Sequence, residues 1–189
     1  ATTHSALTIR RAPLAFLEIG LTILGKMGLR FSVIETGTSE NGITRLADIA
    51  IESSELVAFP ERIHPRPYPG LNMDNLPFFA VIATQATGTT MLHDWVYDKR
   101  AIYYTELDRL GANTLLHDPH RISITGPSHL KAAEIVCPPV LRIGAMLVIA
   151  MLGAKGRSTL RNVYTINRGY EGLVPRLQHL GASIESHTG

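Results

Sequence analysis

The sequence contains the same structural pattern three times. Each copy begins with a strand-like stretch, continues into an apolar helix pattern, and closes on a Leu-Gly or Met-Gly pair that precedes another strand. The copies span Ser5–Gly28, Gly88–Gly111 and Gly156–Gly181. Glycine commonly follows the last turn of a helix, because it adopts the left-handed backbone conformation without strain. The closing glycines lie 83 and then 70 residues apart, so the full repeat is a whole supersecondary unit and is too long for a solenoid of short repeats.

The second and third copies each carry two helix patterns, one nearly all apolar and one amphipathic. The predicted apolar helices are Leu76–Ala86 and Leu141–Leu152, and the predicted amphipathic helices are Arg100–Leu110 and about Gly169–Leu180. The first copy has only an amphipathic helix, which starts near Pro13, since proline is tolerated in a first helical turn. We therefore expect the missing apolar helix to precede Ala1, in a longer polypeptide.

Short alternating or β-branched stretches predict the strands. They are Ala6–Ile9, Phe31–Glu35, Ala47–Ile51, Leu56–Phe59, Thr89–His93, Asn113–His117, Arg121–Thr125, Glu134–Cys137, Ser158–Val163 and Ser183–Ser186. Residues 36–42 between the second and third strands read as a turn. Together with the helices, these strands predict one α/β (α+β) domain over residues 1–189. Its three units lie at about 1–64, which is incomplete, 65–137 and 138–189.

Composition narrows the functional class. Hydrophobic residues make up 45% of the chain and charged residues 18%, so a sizeable core can form. The net charge of +2 is too weak to indicate nucleic-acid binding. The most apolar stretch, residues 143–154, is shorter than the roughly 20 residues of a membrane-spanning helix. A single cysteine and the lack of a secretory signal pattern in the first 25 residues favour a reducing compartment, the cytoplasm.

Three stretches of the sequence resemble the C-terminal half of the enolpyruvyl transferase family. The stretches are Pro67-Tyr68-Pro69-Gly70 with Asp74, then Val96-Tyr97-Asp98-Lys99-Arg100 with Glu106-Leu107 and Leu110-Gly111-Ala112, then Leu141-Arg142 with Asn167-Arg168-Gly169-Tyr170-Glu171 and Leu180-Gly181-Ala182. The similarity runs from about residue 60 to the end, and the first 60 residues match only in pattern. The branch that acts on UDP-N-acetylglucosamine is the most similar, and the 3-phosphoshikimate branch is more distant.

This resemblance implies one domain of a two-domain enzyme. Each such domain is a pseudo-three-fold, inverse α/β barrel-like structure with buried helices and outer mixed sheets. The implied reaction moves the enolpyruvyl group of phosphoenolpyruvate to a hydroxyl of UDP-N-acetylglucosamine, in peptidoglycan precursor synthesis, and releases phosphate. The expected partners are these two substrates and the N-terminal domain of the same protein, with no cofactor, metal, nucleic acid or membrane. The family's Cys-bearing loop and Lys-Asn pair belong to that other domain, so we expect the isolated chain to be inactive.

Asp74 is the candidate catalytic residue. It matches the family carboxylate that contacts the attacking hydroxyl, where a general base must lie within hydrogen-bond reach. Asp74 also stands just before an apolar helix pattern, so an alternative role is an N-cap. Both roles are compatible with one side chain.

Three arginines are candidate substrate-binding residues. Arg100, Arg142 and Arg168 match family arginines around the phosphate and carboxylate of phosphoenolpyruvate, and a planar guanidinium suits both anions. The alternatives are a solvated helix start for Arg100, an internal salt bridge for Arg142 and plain surface exposure for Arg168. Val96 matches a position that contacts the nucleotide sugar through its backbone, and its alternative is an ordinary strand residue.

The chain departs from the family pattern at three positions near these residues. Met73 replaces a threonine, Val140 an acidic residue and Asn167 an aspartate. Losing two acids and a hydroxyl changes the charge balance around the arginines. A homologue that binds a nucleotide sugar or an anion without turnover is therefore an alternative function, and a purely structural or interaction domain is a third.

Two other features carry less chemistry. Cys137 does not match the family cysteine and reads as a small buried residue. The stretch His117-Asp118-Pro119-His120 holds two histidines without further ligands, so it reads as a turn rather than a metal site.

Overall fold

The computed structural model describes residues 5–187 and has nine strands, five α-helices and three 3₁₀ helices in that range. The strands are β1 (Leu7–Pro13), β2 (Phe31–Thr38), β3 (Arg45–Ile51), β4 (Arg62–Ile63), β5 (Gly88–His93), β6 (Asn113–Asp118), β7 (Arg121–Gly126), β8 (Glu134–Val136) and β9 (Thr159–Arg161). The α-helices are α1 (Glu18–Lys26), α2 (Leu76–Gln85), α3 (Leu141–Leu152), α4 (Tyr164–Asn167) and α5 (Leu173–His179). The 3₁₀ helices are Leu14–Phe16, Met73–Asn75 and Arg100–Leu110.

The strands form three separate sheets. The first has the order β1-β3-β2 and is antiparallel. The second has the order β4-β5-β7-β6, in which only the β4–β5 pair is parallel. The third is the parallel pair β8-β9. The expected mixed sheets are therefore present, but these three sheets do not close into a barrel within residues 5–187.

Two buried helices, α2 and α3, occupy the interior. They pack against each other, and most residues of both are inaccessible to water. Helices that are apolar on all sides bury their whole surface, because no face favours solvent. The prediction of two apolar helices inside the domain is confirmed, with bounds within one residue. Among the described residues, no helix is long and apolar enough to cross a membrane.

The repeated glycines share a backbone geometry. The closing glycines Gly28, Gly111 and Gly181 have φ values of +94°, +86° and +90°. The openers Gly88 and Gly156 have φ values of +107° and +101°. Such angles strain any residue with a Cβ atom. The glycine pattern in the sequence therefore corresponds to recurring left-handed turns, while the exact unit boundaries remain a prediction, and their outer ends (1–4 and 188–189) lie outside the described residues.

The links between successive copies also repeat. Thr87 donates a backbone hydrogen bond to the Leu56 carbonyl and accepts one from Ala58, at 2.8 and 2.9 Å. In the later copy, Lys155 donates to Leu130 and accepts from Ala132, both at 3.0 Å.

The predicted strand Leu56–Phe59 is wrong, because a single β-bridge between Val57 and Thr87 is its only sheet-like pairing within residues 5–187.

The helix at Arg100–Leu110 is in the predicted place but is a 3₁₀ helix. Four of its buried apolar residues recur every third position: Ala101, Tyr104, Leu107 and Leu110. A 3₁₀ helix has three residues per turn, so this spacing places all four on one face against the core. An α-helix would spread them around its axis.

The other corrections concern where individual elements begin and end. Pro13 ends β1, and α1 starts only at Glu18. The region read as a turn after β2 begins later, since β2 continues through a bulge to Thr38. The predicted helix Gly169–Leu180 is shorter, because Gly172 adopts φ +59° and α5 starts after it.

The predicted closing strand Ser183–Ser186 is also wrong, because the structure has no strand there. Its counterpart β6 pairs only with β7, which follows directly in the second copy. Within residues 5–187, no strand pairs with this segment.

Cys137 is buried, as predicted. Its Sγ lies 3.4 Å from the Pro138 carbonyl oxygen, and burial raises the pKa of the thiol. A Cβ atom added at Gly144 would lie 2.9 Å from this sulfur, so α3 packs closely here.

We expect Gly111→Ala to lower the free energy of unfolding by about 1–2 kcal/mol, because alanine must adopt a left-handed conformation at φ +86°. Gly20→Ala is the matched control: this residue lies inside α1, and an added Cβ meets no atom within 4 Å. The control should raise stability by about 0.5–1 kcal/mol. Urea unfolding measures both, and equal effects would contradict the left-handed turn.

Candidate anion-binding site

Asp74 lies in the short 3₁₀ helix that leads into α2, and its side chain is 32% exposed. The Asn72 side chain caps this turn, accepting a hydrogen bond of 2.8 Å from the Asp74 backbone N–H. The N-cap alternative for Asp74 is therefore wrong. Because its own carboxylate does not cap the helix, it is free to interact with other side chains.

Arg142 provides the first of those interactions. It stands in the first turn of α3, and its Nη2 donates a 3.0 Å hydrogen bond to Asp74 Oδ2. Its Nη1 donates a 2.6 Å hydrogen bond to the Tyr170 hydroxyl, and its guanidinium lies 5.1 Å from the centre of that ring. The internal salt bridge that we gave as the alternative for Arg142 is present. Its partner is Asp74, the candidate catalytic residue, so an internal salt bridge and a place in the candidate site are compatible for Arg142.

Arg100 approaches the same carboxylate from a different element. It opens the long 3₁₀ helix and is only 4% exposed, so the solvated helix start is wrong. Its Nη1 lies 3.7 Å from Asp74 Oδ1. Its guanidinium stacks 4.3 Å from the centre of the Tyr97 ring, a cation–π geometry. Asp74, Arg100 and Arg142 therefore form one cluster, which we call the arginine cluster.

A buried aspartate behind this cluster was missed from the sequence. Asp94, at 0% exposure, accepts hydrogen bonds from Arg100 Nε at 2.5 Å and Arg100 Nη2 at 3.0 Å. The Tyr104 hydroxyl donates to the same carboxylate. One signal was available: an acidic residue directly after the predicted strand Thr89–His93, where burial requires a partner.

The charged state of both arginines is favoured. Burial alone would lower the pKa of Arg100, but the hydrogen bond and charge of Asp94 raise it above its ordinary value. The pKa of Arg142 is raised in the same way, because hydrogen bonds to Tyr170 and Asp74 outweigh desolvation. The pKa of Tyr104 is raised by burial and by the negative charge of Asp94, so its hydroxyl stays a donor.

Arg168 and Val96 are not part of the contact network. Arg168 is exposed, which agrees with its surface alternative, and the structure gives it no ion pair with another described residue. It stands two positions before Tyr170, the partner of Arg142. Val96 lies in the loop after β5 and is half-buried, so it is not a strand residue.

Gly169 explains how Tyr170 reaches Arg142. A Cβ atom at residue 169 would lie 2.4 Å from Leu141 Cδ2, so the Leu141 side chain would have to move. Glycine therefore permits the turn after α4 to press against the first turn of α3.

The histidine-containing stretch is a turn, as predicted. The Asp118 carboxylate accepts from the backbone N–H groups of His120 and Arg121 and closes the β6–β7 connection. Within residues 5–187, no group of three or more His, Cys, Asp or Glu side chains is arranged to hold a metal ion.

Comparisons with known proteins agree with this architecture. Residues 2–177 match the family described as EPSP synthase (3-phosphoshikimate 1-carboxyvinyltransferase). The enolpyruvyl transferase NikO from Streptomyces tendae has a TM-score of 0.77 and 26% identity over 96% of this chain and 40% of its own. EPSP synthase from Acinetobacter baumannii shares the fold, with a TM-score of 0.74 and 19% identity over 98% of this chain and 43% of its own. The chain belongs to the EPSP synthase, or enolpyruvyl transferase, family.

Curated relatives point to one branch. The UDP-N-acetylglucosamine 1-carboxyvinyltransferase of Treponema denticola is 44% identical over 124 residues, 66% of this chain and 29% of the relative. The protein of the same name from Treponema pallidum is 32% identical over 93% of this chain and 42% of its own length. The chain therefore spans less than half the length of these relatives.

We expect Asp94→Ala to cost roughly 3–5 kcal/mol of unfolding free energy, because it leaves the buried charge of Arg100 without its main partner. Asp74→Ala should cost at most about 1 kcal/mol, since its ion pairs are a third exposed. Urea unfolding of both variants checks this, and comparable losses would show that Asp94 is not the buried partner.

Proposed function

We propose that this chain forms one wall of the active site of an enolpyruvyl transferase that acts on UDP-N-acetylglucosamine. The main support is the arginine cluster, in which one carboxylate lies within 4 Å of two guanidinium groups from different elements. Such a cluster offers a base together with sites for a phosphate and a carboxylate. The names of the curated relatives favour UDP-N-acetylglucosamine as the acceptor.

The reaction has two balanced steps. In the addition, a sugar hydroxyl oxygen bonds to C2 of phosphoenolpyruvate, the hydroxyl loses its proton, and C3 gains a proton. In the elimination, the bond from C2 to the phosphate oxygen breaks, C3 loses a proton, and inorganic phosphate leaves. The product carries the enolpyruvyl ether, a precursor of peptidoglycan.

The residues divide these tasks by charge. Asp74 contacts the attacking hydroxyl as base or anchor. Arg100, Arg142 and Arg168 bind the phosphate and carboxylate of phosphoenolpyruvate, and the backbone at Val96 contacts the nucleotide sugar. Substrate binding then replaces the Asp74–Arg142 hydrogen bond with contacts to the two substrates. Because that ion pair is partly exposed, exchanging it costs little.

A second domain of the same protein completes the cleft in this proposal. This chain matches 29–42% of the length of the Treponema relatives, which leaves room for another domain. That domain supplies the remaining catalytic groups, and the full-length protein works in the cytoplasm, where its substrates are made.

Two alternative functions are also compatible with the sequence, and the phosphate-release assay below distinguishes them. The replacements Met73, Val140 and Asn167 favour a homologue that binds the nucleotide sugar or an anion without turnover. The 3-phosphoshikimate branch, which the description of the matched family names, is the other alternative.

We expect full-length protein to release phosphate from phosphoenolpyruvate in the presence of UDP-N-acetylglucosamine and not of shikimate 3-phosphate, and the 189-residue chain alone to release none. A coupled phosphate assay measures all three. Binding of both substrates without release would favour the non-catalytic alternative. Turnover with shikimate 3-phosphate would favour the other branch, and turnover by the isolated chain would contradict the two-domain cleft.

Asp74→Asn keeps the shape of the side chain but removes the base. In the full-length protein we expect kcat to fall at least about 100-fold, the usual contribution of a general base. Asp108→Asn is the control. Asp108 lies near the other end of the 3₁₀ helix that Arg100 begins, and its carboxylate accepts hydrogen bonds from Thr114 in β6. A kcat for Asp74→Asn equal to that of the control would exclude Asp74 as the base.

A further inference from the structure

Asp94 is buried, and its carboxylate is paired with Arg100, one of the two arginines of the arginine cluster. Its side chain is 0% exposed, and Arg100 and Tyr104 are 4% and 0% exposed. A buried carboxylate must be paired, and here both its oxygens are used by these two residues. The group thus lies one layer behind the arginine cluster.

The hydrogen bonds of Arg100 show what Asp94 determines. A guanidinium has five N–H donors in a fixed plane. The Nε donor and one Nη2 donor go to Asp94, and Nη2 also donates to the Met73 carbonyl at 2.7 Å. The remaining nitrogen, Nη1, makes no hydrogen bond to a described residue and lies 3.7 Å from Asp74. Asp94 therefore fixes which edge of Arg100 is left for a ligand.

Asp94 is itself held from two sides. The Tyr104 hydroxyl donates a 2.5 Å hydrogen bond to Oδ2, the same oxygen that receives Arg100 Nε. The Asp94 backbone N–H donates to the His120 carbonyl at 2.7 Å, and its own carbonyl contacts His120 Nδ1 at 3.1 Å. The carboxylate therefore has little freedom to turn, and this rigidity passes to the guanidinium.

We propose that Asp94 and Tyr104 are positioning residues that hold Arg100 so that its Nη1 edge faces phosphoenolpyruvate. The inference rests on the proposed function, in which Arg100 binds that substrate. If the Asp94 charge is removed, Arg100 turns toward Asp74, the other carboxylate within reach. The anion then loses a preorganised donor pair, and Asp74 becomes tied to two guanidinium groups.

The test measures substrate affinities of the full-length protein by calorimetry. Asp94→Asn keeps the shape of the side chain, and it should weaken phosphoenolpyruvate binding roughly tenfold, because Arg100 loses its ion pair and one of the two acceptor oxygens that orient it. Tyr104→Phe removes one bond to Asp94 and should weaken it about threefold. UDP-N-acetylglucosamine affinity should not change, since a purely structural defect would affect both ligands. Tyr103→Phe, on the next residue, is the control and should change neither.

A double variant separates this inference from the proposed function. With Arg100→Met as background, adding Asp94→Asn should not weaken phosphoenolpyruvate binding further, whereas an additional tenfold loss would overturn the positioning role. Arg100→Met alone leaving affinity unchanged would contradict the proposed role of Arg100 itself. If thermal melting shows that Asp94→Asn does not fold, Tyr104→Phe decides, and an affinity equal to that of Tyr103→Phe overturns the inference.

Discussion

The ion pair between Asp74 and Arg142 connects the two buried helices, α2 and α3, and the rest of the site depends on this connection. Asp74 lies just before α2, and Arg142 lies in the first turn of α3. The 3.0 Å hydrogen bond between them therefore connects the N-terminal ends of the two buried helices. Arg100 adds a third element from the long 3₁₀ helix. Packing of α2 against α3 brings these side chains together, and the polar contacts then set their orientation. The site is therefore a consequence of how the core is packed.

The repeat explains why charges so far apart in sequence converge. Asp74 and Arg142 stand the same number of residues before Gly88 and Gly156, the openers of successive copies. Arg100 and Arg168 likewise stand the same number of residues after those glycines. In the predicted pseudo-three-fold arrangement, equivalent positions lie around a common axis, so one position supplies the acid in one copy and an anion-binding cation in the next. Opposite charges at equivalent positions attract each other, which also favours the correct association of the copies.

Much of this organisation could be predicted from the sequence. The apolar helices, the left-handed glycines and the turn at Asp118 follow from local patterns that tertiary contacts do not overrule. The 3₁₀ helix could have been recognised from its three-residue spacing of Ala101, Tyr104, Leu107 and Leu110, which an amphipathic α-helix does not show. The absence of a strand at Ser183–Ser186 could not be predicted, because the sequence is compatible with a strand but strand formation requires a neighbour.

The site was predicted only in part, for a physical reason. The resemblance to the family singled out Asp74, Arg100 and Arg142 as candidates, and the structure brings these three side chains together. Asp94 was missed because its importance comes from burial beside Arg100, which the sequence does not display. In the proposed function this distinction matters, since Arg100 is buried and held by Asp94, whereas Arg142 is paired at a site that is a third exposed and can exchange partners.

We propose that Arg100 and Arg142 bind the anionic groups of phosphoenolpyruvate while Asp74 contacts the sugar hydroxyl. A crystal structure of the full-length protein with phosphoenolpyruvate and UDP-N-acetylglucosamine tests it most directly. We predict density for the phosphate or carboxylate in contact with Arg100 Nη1 and with Arg142, and an Asp74 carboxylate turned toward the sugar hydroxyl. Substrate density elsewhere, with the Asp74–Arg142 hydrogen bond unchanged, would contradict the account.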